Sequence, residues 1–274
     1  MSILNNKNLI IIKLGGSIIT FKDQPLTPNY QAIDKIANFI KELKKLYKII
    51  IVHGGGSFGH YWSLKYNMHT KPFAYSDEGV ARVRESMIKL NSIIVEKFIS
   101  ANLKPFSIHA STFVFNNFVC REQILDIMNM IKNNDIIPLT YGDVVHTSHG
   151  NFSILSGDTL MKILSINLNP RFSIFTTNVD GIYDNPINGR LISNILQNKD
   201  KNLLTNNPDT KIEYSKMLFD VTGGMKRKIS ESINIVNEGI PVYLINGFYP
   251  ERIMDIINGN DFIGTSIKLK EESV

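Results

Sequence analysis

Six short apolar runs, at 9–14, 49–53, 106–109, 136–140, 172–177 and 242–245, constrain the fold of this chain more than any other feature. Each is too short for a helix and too continuously apolar for a strand with one wet side, so each reads as a strand covered on both faces. Longer stretches at helical spacing separate them. After Thr27, a candidate N-cap, Pro28 takes the first helical position, and Ile33, Ile36, Ala37, Ile40 and Leu43 share one face. A second helix is predicted over about 76–103. Strands alternating with helices dictate an α/β fold, a three-layer αβα sandwich around a mainly parallel central sheet.

Two stretches break the rhythm. Residues 112–119, TFVFNNFV, place Asn-Asn between apolar runs, and 142–155 place His-Gly-Asn between alternating ones, so both predict β-hairpins. They would either roof a substrate site or simply extend the sheet. The Asn-, Pro- and Lys-rich stretch 185–209 predicts a loop-dominated excursion. A soft boundary near residue 170 divides the chain into 1–170 and 171–274, two parts of one continuous unit.

A chain of 274 residues, 43% hydrophobic and 20% charged, can bury a stable core, and no segment has the unbroken apolar length needed to cross a bilayer. The opening MSILNNKNLIIIKLGG lacks the pattern of a signal peptide. The single cysteine, Cys120, permits no internal disulfide and predicts a cytoplasmic setting. A net charge of +5 spread along the chain argues against nucleic acid as a partner and for a few lysines serving a small polyanion.

The chemistry sits where the runs end. Lys13-Leu14-Gly15-Gly16-Ser17 follows the first run, and His53-Gly54-Gly55-Gly56-Ser57-Phe58-Gly59-His60 follows the second. Consecutive glycines forfeit packing and entropy, which a fold tolerates mainly where something must approach the main chain, and a phosphate fits that need. His60 then begins a helix, where imidazole and backbone N–H groups can hold one phosphate oxygen together. Gly54, Gly56 and Gly59 also satisfy the dinucleotide pattern Gly-x-Gly-x-x-Gly, but no acidic residue ends the next strand, and no Gly-Lys-Ser/Thr marks a P-loop. Further along lie Ser156-Gly157-Asp158, Thr177-Asn178-Val179-Asp180-Gly181-Ile182-Tyr183 and Thr222-Gly223-Gly224-Met225 followed by Lys226, Arg227 and Lys228. Each alone is equally a helix cap, a turn or a solvated charge run.

Together, in this order, these motifs resemble the amino acid kinase superfamily over nearly the whole chain, and the loop ending in His60 resembles isopentenyl phosphate kinases and the related fosfomycin kinases. The resemblance implies ATP with Mg²⁺, a small phosphate acceptor with an apolar tail, an acceptor lobe at 1–170, a nucleotide lobe at 171–274, and a homodimer. By the same resemblance Lys13, Lys22, His60 and Asp158 are catalytic, with Asp158 holding Lys13 and Lys228 in place. Gly15, Gly16, Ser17, Gly56, Asp180, Tyr183, Gly224 and Lys228 would bind the nucleotide, with Lys226 the second choice to Lys228. Gly54, Gly55, His60 and Gly157 would hold the acceptor phosphate, and Phe73 and Met87 its tail, among the apolar residues Tyr61, Trp62, Tyr66, Met68 and Ile154. No protein cage for a metal is evident. The implied activity is conversion of isopentenyl phosphate to isopentenyl diphosphate in an alternative mevalonate route. A phosphonate kinase and a catalytically silent nucleotide-binding regulator are the alternatives.

Overall fold

The six apolar runs all become strands of one sheet in a computed structural model that describes residues 6–68, 74–115, 118–147, 150–185, 189–197, 203–205 and 223–270. They are β1 (Asn6–Leu14), β2 (Lys48–His53), β3 (Pro105–Ser107), β6 (Ile137–Tyr141), β9 (Pro170–Thr177) and β14 (Val242–Asn246). Three further strands, β12 (Asn194–Gln197), β13 (Leu203–Thr205) and β15 (Thr265–Leu269), complete a nine-stranded sheet in the order β13-β12-β15-β14-β9-β1-β2-β6-β3. Its pairs are parallel except β14 with β15 and β12 with β13. β9 pairs directly with β1, so the sheet runs unbroken across residue 170.

Alternation along β1 sorts its side chains between two cores. Ile10, Ile12 and Leu14 enter one with Ile33, Ile36 and Ile40 of α2 (Tyr30–Leu43) and Leu90 and Ile94 of α4 (Asp77–Ser100). Leu9 and Ile11 enter the other with Leu160 and Leu164 of α6 (Gly157–Leu168) and Ile229 and Ile233 of α7 (Gly223–Asn237). Each such buried isoleucine contributes about 2 kcal/mol relative to an exposed one. The same period of two places Lys13 on the α6–α7 side of the sheet.

The helix after Thr27 starts later than its sequence predicts. Asn29 is the N-cap, its Oδ1 accepting from Ala32 N–H at 3.1 Å. Thr27 is diverted: its N–H donates to Ser57 Oγ at 3.3 Å and its hydroxyl to the Pro25 carbonyl at 2.9 Å. The stretch 185–209 is likewise more ordered than a loop where it is described, because β11 (Leu191–Ile192) pairs with β10 (Ile182–Tyr183) and β12 joins the main sheet beside β15. Both hairpins form, as β4 (Val114–Phe115) with β5 (Phe118–Val119) and β7 (Asp143–His146) with β8 (Phe152–Leu155). A third apolar cluster, of Met68, Val80, Val83, Met87, Tyr141 and Val144, lies beneath β7–β8, with Trp62, Tyr66, Tyr75, Phe152 and Ile154 packed around it. The remaining α-helices among the described residues are α1 (Gly16–Ile19), α3 (Gly56–Lys65), α5 (Arg121–Asn133) and α8 (Arg252–Asn258). No helix among the described residues is long and apolar enough to cross a membrane.

Candidate active site

Strand order reverses around β1: the chain steps to β2 and β6 on one side and to β9 and β14 on the other. Crevices outside the carboxyl ends of strands at such a switch point are where open α/β sheets bind ligands. Both glycine loops lie there, the first leading from β1 into α1 and the second from β2 into α3.

The loops are locked to each other and to β9. Thr176 Oγ1 accepts from Gly15 N–H at 3.0 Å and donates to the Lys13 carbonyl at 2.9 Å. Gly15 therefore contributes clearance at this edge, not a free donor. Gly56 has φ of +49°, and a methyl group there would lie 2.0 Å from Thr20 Oγ1 and 2.6 Å from the Gly16 carbonyl oxygen. The close approach that the glycine-rich sequence demands is thus made in part by the opposite loop. Among the described residues no hydrogen bond engages the N–H groups of Gly16, Ser17, Gly55 and Gly56, whereas Gly54 N–H donates to the Leu14 carbonyl at 3.0 Å. Four backbone donors are left at the mouth of the crevice, an arrangement that suits an anion.

Beneath them lies a buried triad of charges. Asp158, in the first turn of α6 behind the N-cap Ser156, accepts from Lys13 Nζ at 2.5 Å and from Lys228 Nζ at 3.0 Å, both on Oδ1. Only 5% of Lys13 and 7% each of Asp158 and Lys228 is exposed, so these interactions act in a low effective dielectric. Gly157 makes room for them: a methyl group there would lie 3.0 Å from Lys13 Cε. Burial first, and then the charge of Lys228, lowers the Lys13 ammonium to about 8 against the opposing pull of Asp158. Burial alone would raise the Asp158 carboxyl, but the two lysines outweigh it and hold it at about 2. The triad carries one net positive charge, aimed at the crevice. Lys228 is the lysine of its helix that reaches Asp158; Lys226 is half-buried nearby.

His60 stands in the first turns of α3 and is exposed. Its pKa is lowered by burial first and then by the charges of Lys22, Arg227 and Lys13, so the imidazole is neutral at pH 7 and can donate from one nitrogen. Among the described residues Lys22 and Arg227 form no hydrogen bond or ion pair. Cations without a partner among the described residues, acting on one imidazole beside free N–H groups, form a site for a polyanion. His53, at the end of β2, is fully buried, stacked on Tyr141 with centroids 4.9 Å apart, and lowered by burial to about 4, which makes it a neutral structural residue.

The other sequence-predicted residues divide. Met87 is buried in the third cluster, where its Sδ would lie 3.1 Å from a methyl group on Gly55, so the apolar cluster abuts the glycine loop directly. Met68, Trp62, Tyr66 and Ile154 belong to the same cluster, whereas Phe73 lies outside the described residues. Tyr183 is half-buried on β10, and Asp180 Oδ1 accepts from Arg252 Nη1 at 2.6 Å and from Asn246 Nδ2 at 3.4 Å. Among the described residues, a methyl group on Gly224 would meet nothing within 4 Å. No group of three His, Cys, Asp or Glu side chains able to hold a metal occurs among the described residues.

The model of the amino acid kinase family matches residues 8–246. Isopentenyl phosphate kinase of Thermoplasma acidophilum is 32% identical over 265 residues, spanning 95% of this chain and 100% of that protein. The enzyme of the same name from Methanocaldococcus jannaschii is 31% identical, spanning 81% of this chain and 85% of its own. A crystal structure of the T. acidophilum kinase in its product complex superposes with a TM-score of 0.76 at 27% identity, over 95% of this chain and 100% of that one. The chain belongs to the isopentenyl phosphate kinases of the amino acid kinase family. As a member of these kinases it shows two features that the motifs leave out. Thr176, which ties β1 to β9, looks in sequence like any strand threonine. Arg227 reads as part of a charge run, and only the fold brings its charge within range of His60.

Proposed function

We propose that this chain transfers the terminal phosphoryl group of ATP to the phosphate of isopentenyl phosphate, giving isopentenyl diphosphate and ADP, in the cytoplasm and within an alternative mevalonate route. The observation that carries the reading is the set of cations around one crevice: the Lys13–Asp158–Lys228 triad, and Lys22 and Arg227, which have no hydrogen-bond or ion-pair partner among the described residues and whose charges act on His60. Phosphoryl transfer asks the protein for in-line positioning and for charge balance on the moving group, which lysines and N–H groups supply.

In this reading an oxygen of the acceptor phosphate forms the new P–O bond as the bond to the leaving ADP oxygen breaks. Lys13 and Lys22 balance charge on the phosphoryl group in flight, Lys228 meets the nucleotide phosphates, and Asp158 aims the two buried lysines. The free N–H groups of Gly16, Ser17 and Gly56 cradle ATP, with Gly224, Asp180 and Tyr183 toward its phosphate tail, ribose or base. Gly54, Gly55 and Gly157 shape the acceptor phosphate site and neutral His60 donates to it. That phosphate is already ionised, so no general base is needed. The sole carboxylate of the triad is taken up by two ammonium groups, which fits a Mg²⁺ ion that arrives on the ATP phosphates as part of the substrate. The acceptor tail would lie against the third cluster, where Met87 adjoins Gly55, with Phe73 as a further lining residue.

We also propose that the chain works as a homodimer with the acceptor half at 1–170 and the nucleotide half at 171–274. Ile88 and Ile99, on one face of α4, and Phe106 on the edge strand β3 are exposed around a hollow lined by Ser92, Val95 and Ser107. A second copy would cover that apolar edge. Sedimentation velocity tests it. The function itself is tested by offering ATP and magnesium with isopentenyl phosphate, fosfomycin and glutamate in parallel. Turnover of isopentenyl phosphate alone supports the reading, and preference for either of the others refutes it.

A further inference from the structure

One buried carboxylate beside the triad has no part in the chemistry above. Glu231 lies three residues beyond Lys228 on α7 and is 8% exposed. Its Oε1 accepts from Thr159 Oγ1 at 2.8 Å, and its Oε2 accepts from Lys162 Nζ at 3.1 Å and Asn234 Nδ2 at 3.3 Å. Thr159 directly follows Asp158 in α6; its N–H donates to the cap Ser156 Oγ at 3.1 Å, and the two hydroxyls are 3.0 Å apart. Two bonded contacts therefore join the same faces of α6 and α7: Asp158 with Lys228, and Thr159 and Lys162 with Glu231.

We infer that Glu231 is a positioning residue that sets the register of α7 on the first turns of α6, so that the Lys228 ammonium is delivered to Asp158. The inference rests on reading Lys228 as a cation of phosphoryl transfer. A lysine has a long flexible stem, and one contact through such a stem leaves α7 free to slide or roll while the ion pair persists. The second contact removes that freedom, because Glu231 is bonded at both carboxylate oxygens and Thr159 is itself held by the helix cap. An apolar side chain could hold the two helices together without desolvating a charge. What the carboxylate adds is a fixed register.

The consequence is readable at Lys13. Its ammonium faces Asp158 from α6, Lys228 from α7, His53 from β2 and His60 from α3, and the Lys228 charge helps to lower it. If Glu231 sets the place of Lys228, loss of the carboxylate lets Lys228 withdraw, and the Lys13 titration moves up from about 8 toward the ordinary lysine value. The full-length wild type, Glu231→Met and Glu231→Gln are compared by NMR titration of ε-¹³C-labelled lysines, and by kcat and KM with ATP and isopentenyl phosphate. Glu231→Met, which keeps the packing, is expected to raise the Lys13 titration and to lower kcat by about tenfold to a hundredfold, with KM for the acceptor little changed. Glu231→Gln keeps an acceptor for Thr159 and is expected to recover part of both effects. An unmoved Lys13 titration in a folded variant of either kind overturns the inference, whatever the kinetics. If instead the wild type fails to phosphorylate isopentenyl phosphate while the titration moves as expected, the functional reading falls and the role of Glu231 stands.

Discussion

Replacing Asp158 with asparagine should move a titration as well as a rate. The carboxylate is the counterion of two ammonium groups that are 5% and 7% exposed, at 2.5 and 3.0 Å. Keeping both lysines charged without it would cost about 3–5 kcal/mol, the scale for breaking a buried ion pair. Lys13 has a cheaper escape. It already titrates at about 8, so giving up its proton at pH 7 costs about 1.4 kcal/mol. Asp158 is the group that raises Lys13, so its removal lowers that value further and leaves Lys13 neutral at pH 7. The account expects kcat at pH 7 to fall about a hundredfold or more, KM for ATP to change little, and the alkaline limb of the rate profile to shift to lower pH, with partial recovery near pH 6. Stability follows the same signs. Unfolded Lys13 titrates near 10.5 and folded Lys13 near 8, so the unfolded chain binds more protons between those values and the Lys13 contribution rises with pH; in the variant this window opens at a lower pH. Asp158, depressed from 3.8 to about 2, gives the wild type a contribution lost as pH falls through that range, which the variant does not have. Steady-state rates from pH 5.5 to 9, and thermal melts from pH 2 to 10, check both. An alkaline limb that stays in place, or a loss confined to ATP affinity, refutes the reasoning.

His60→Ala should lose about 2–4 kcal/mol of catalytic efficiency, the scale of one donor to a transition-state oxyanion, with circular dichroism unchanged and His60→Gln recovering part. Lys13→Ala should abolish most turnover in a chain that still folds, since a buried charge is removed from a strand end, and normal rates in the folded variant would remove Lys13 from the chemistry. Arg227→Ala, losing a cation without a partner among the described residues, should leave stability within about 0.5 kcal/mol, raise KM for the acceptor, and let the His60 titration rise in an NMR experiment. Gly56→Ala should cost at least about 2 kcal/mol in urea unfolding, because its φ of +49° and the 2.0 Å approach to Thr20 Oγ1 leave no room for a methyl group.

The strands were legible because each apolar run ends at residues that cannot continue it, such as Gly15 after Leu14 and Gly54 after His53. The start of the helix near residue 76 was legible for a local reason: Ser76 accepts from the N–H three residues ahead at 3.1 Å, and Ser156 caps α6 in the same way at 3.1 Å. Thr27 misled because its hydroxyl is taken by the Pro25 carbonyl and its N–H by Ser57, 30 residues away, and the Ser57 contact is one that no local propensity encodes. The site shows the same division. Lys13, Asp158 and Lys228 carry a motif each, but the sharing of one carboxylate oxygen joins residues 145 and 70 positions apart. Thr176, Arg227 and Glu231 carry no motif, and their places at the site are set by strand pairing and by the packing of α7 on α6. β12 was hidden for the opposite reason: a four-residue strand in an Asn-rich stretch is stabilised by its pairing with β15, not by its own sequence.

The most direct test of the central claim follows the phosphorus atoms. The full-length chain is incubated with ATP, magnesium and isopentenyl phosphate, and ³¹P NMR is recorded over time. The account predicts that the monophosphate resonance of the acceptor gives way to the coupled pair of a diphosphate ester, with one ADP formed for each acceptor consumed. ADP appearing with inorganic phosphate while isopentenyl phosphate remains intact would contradict it.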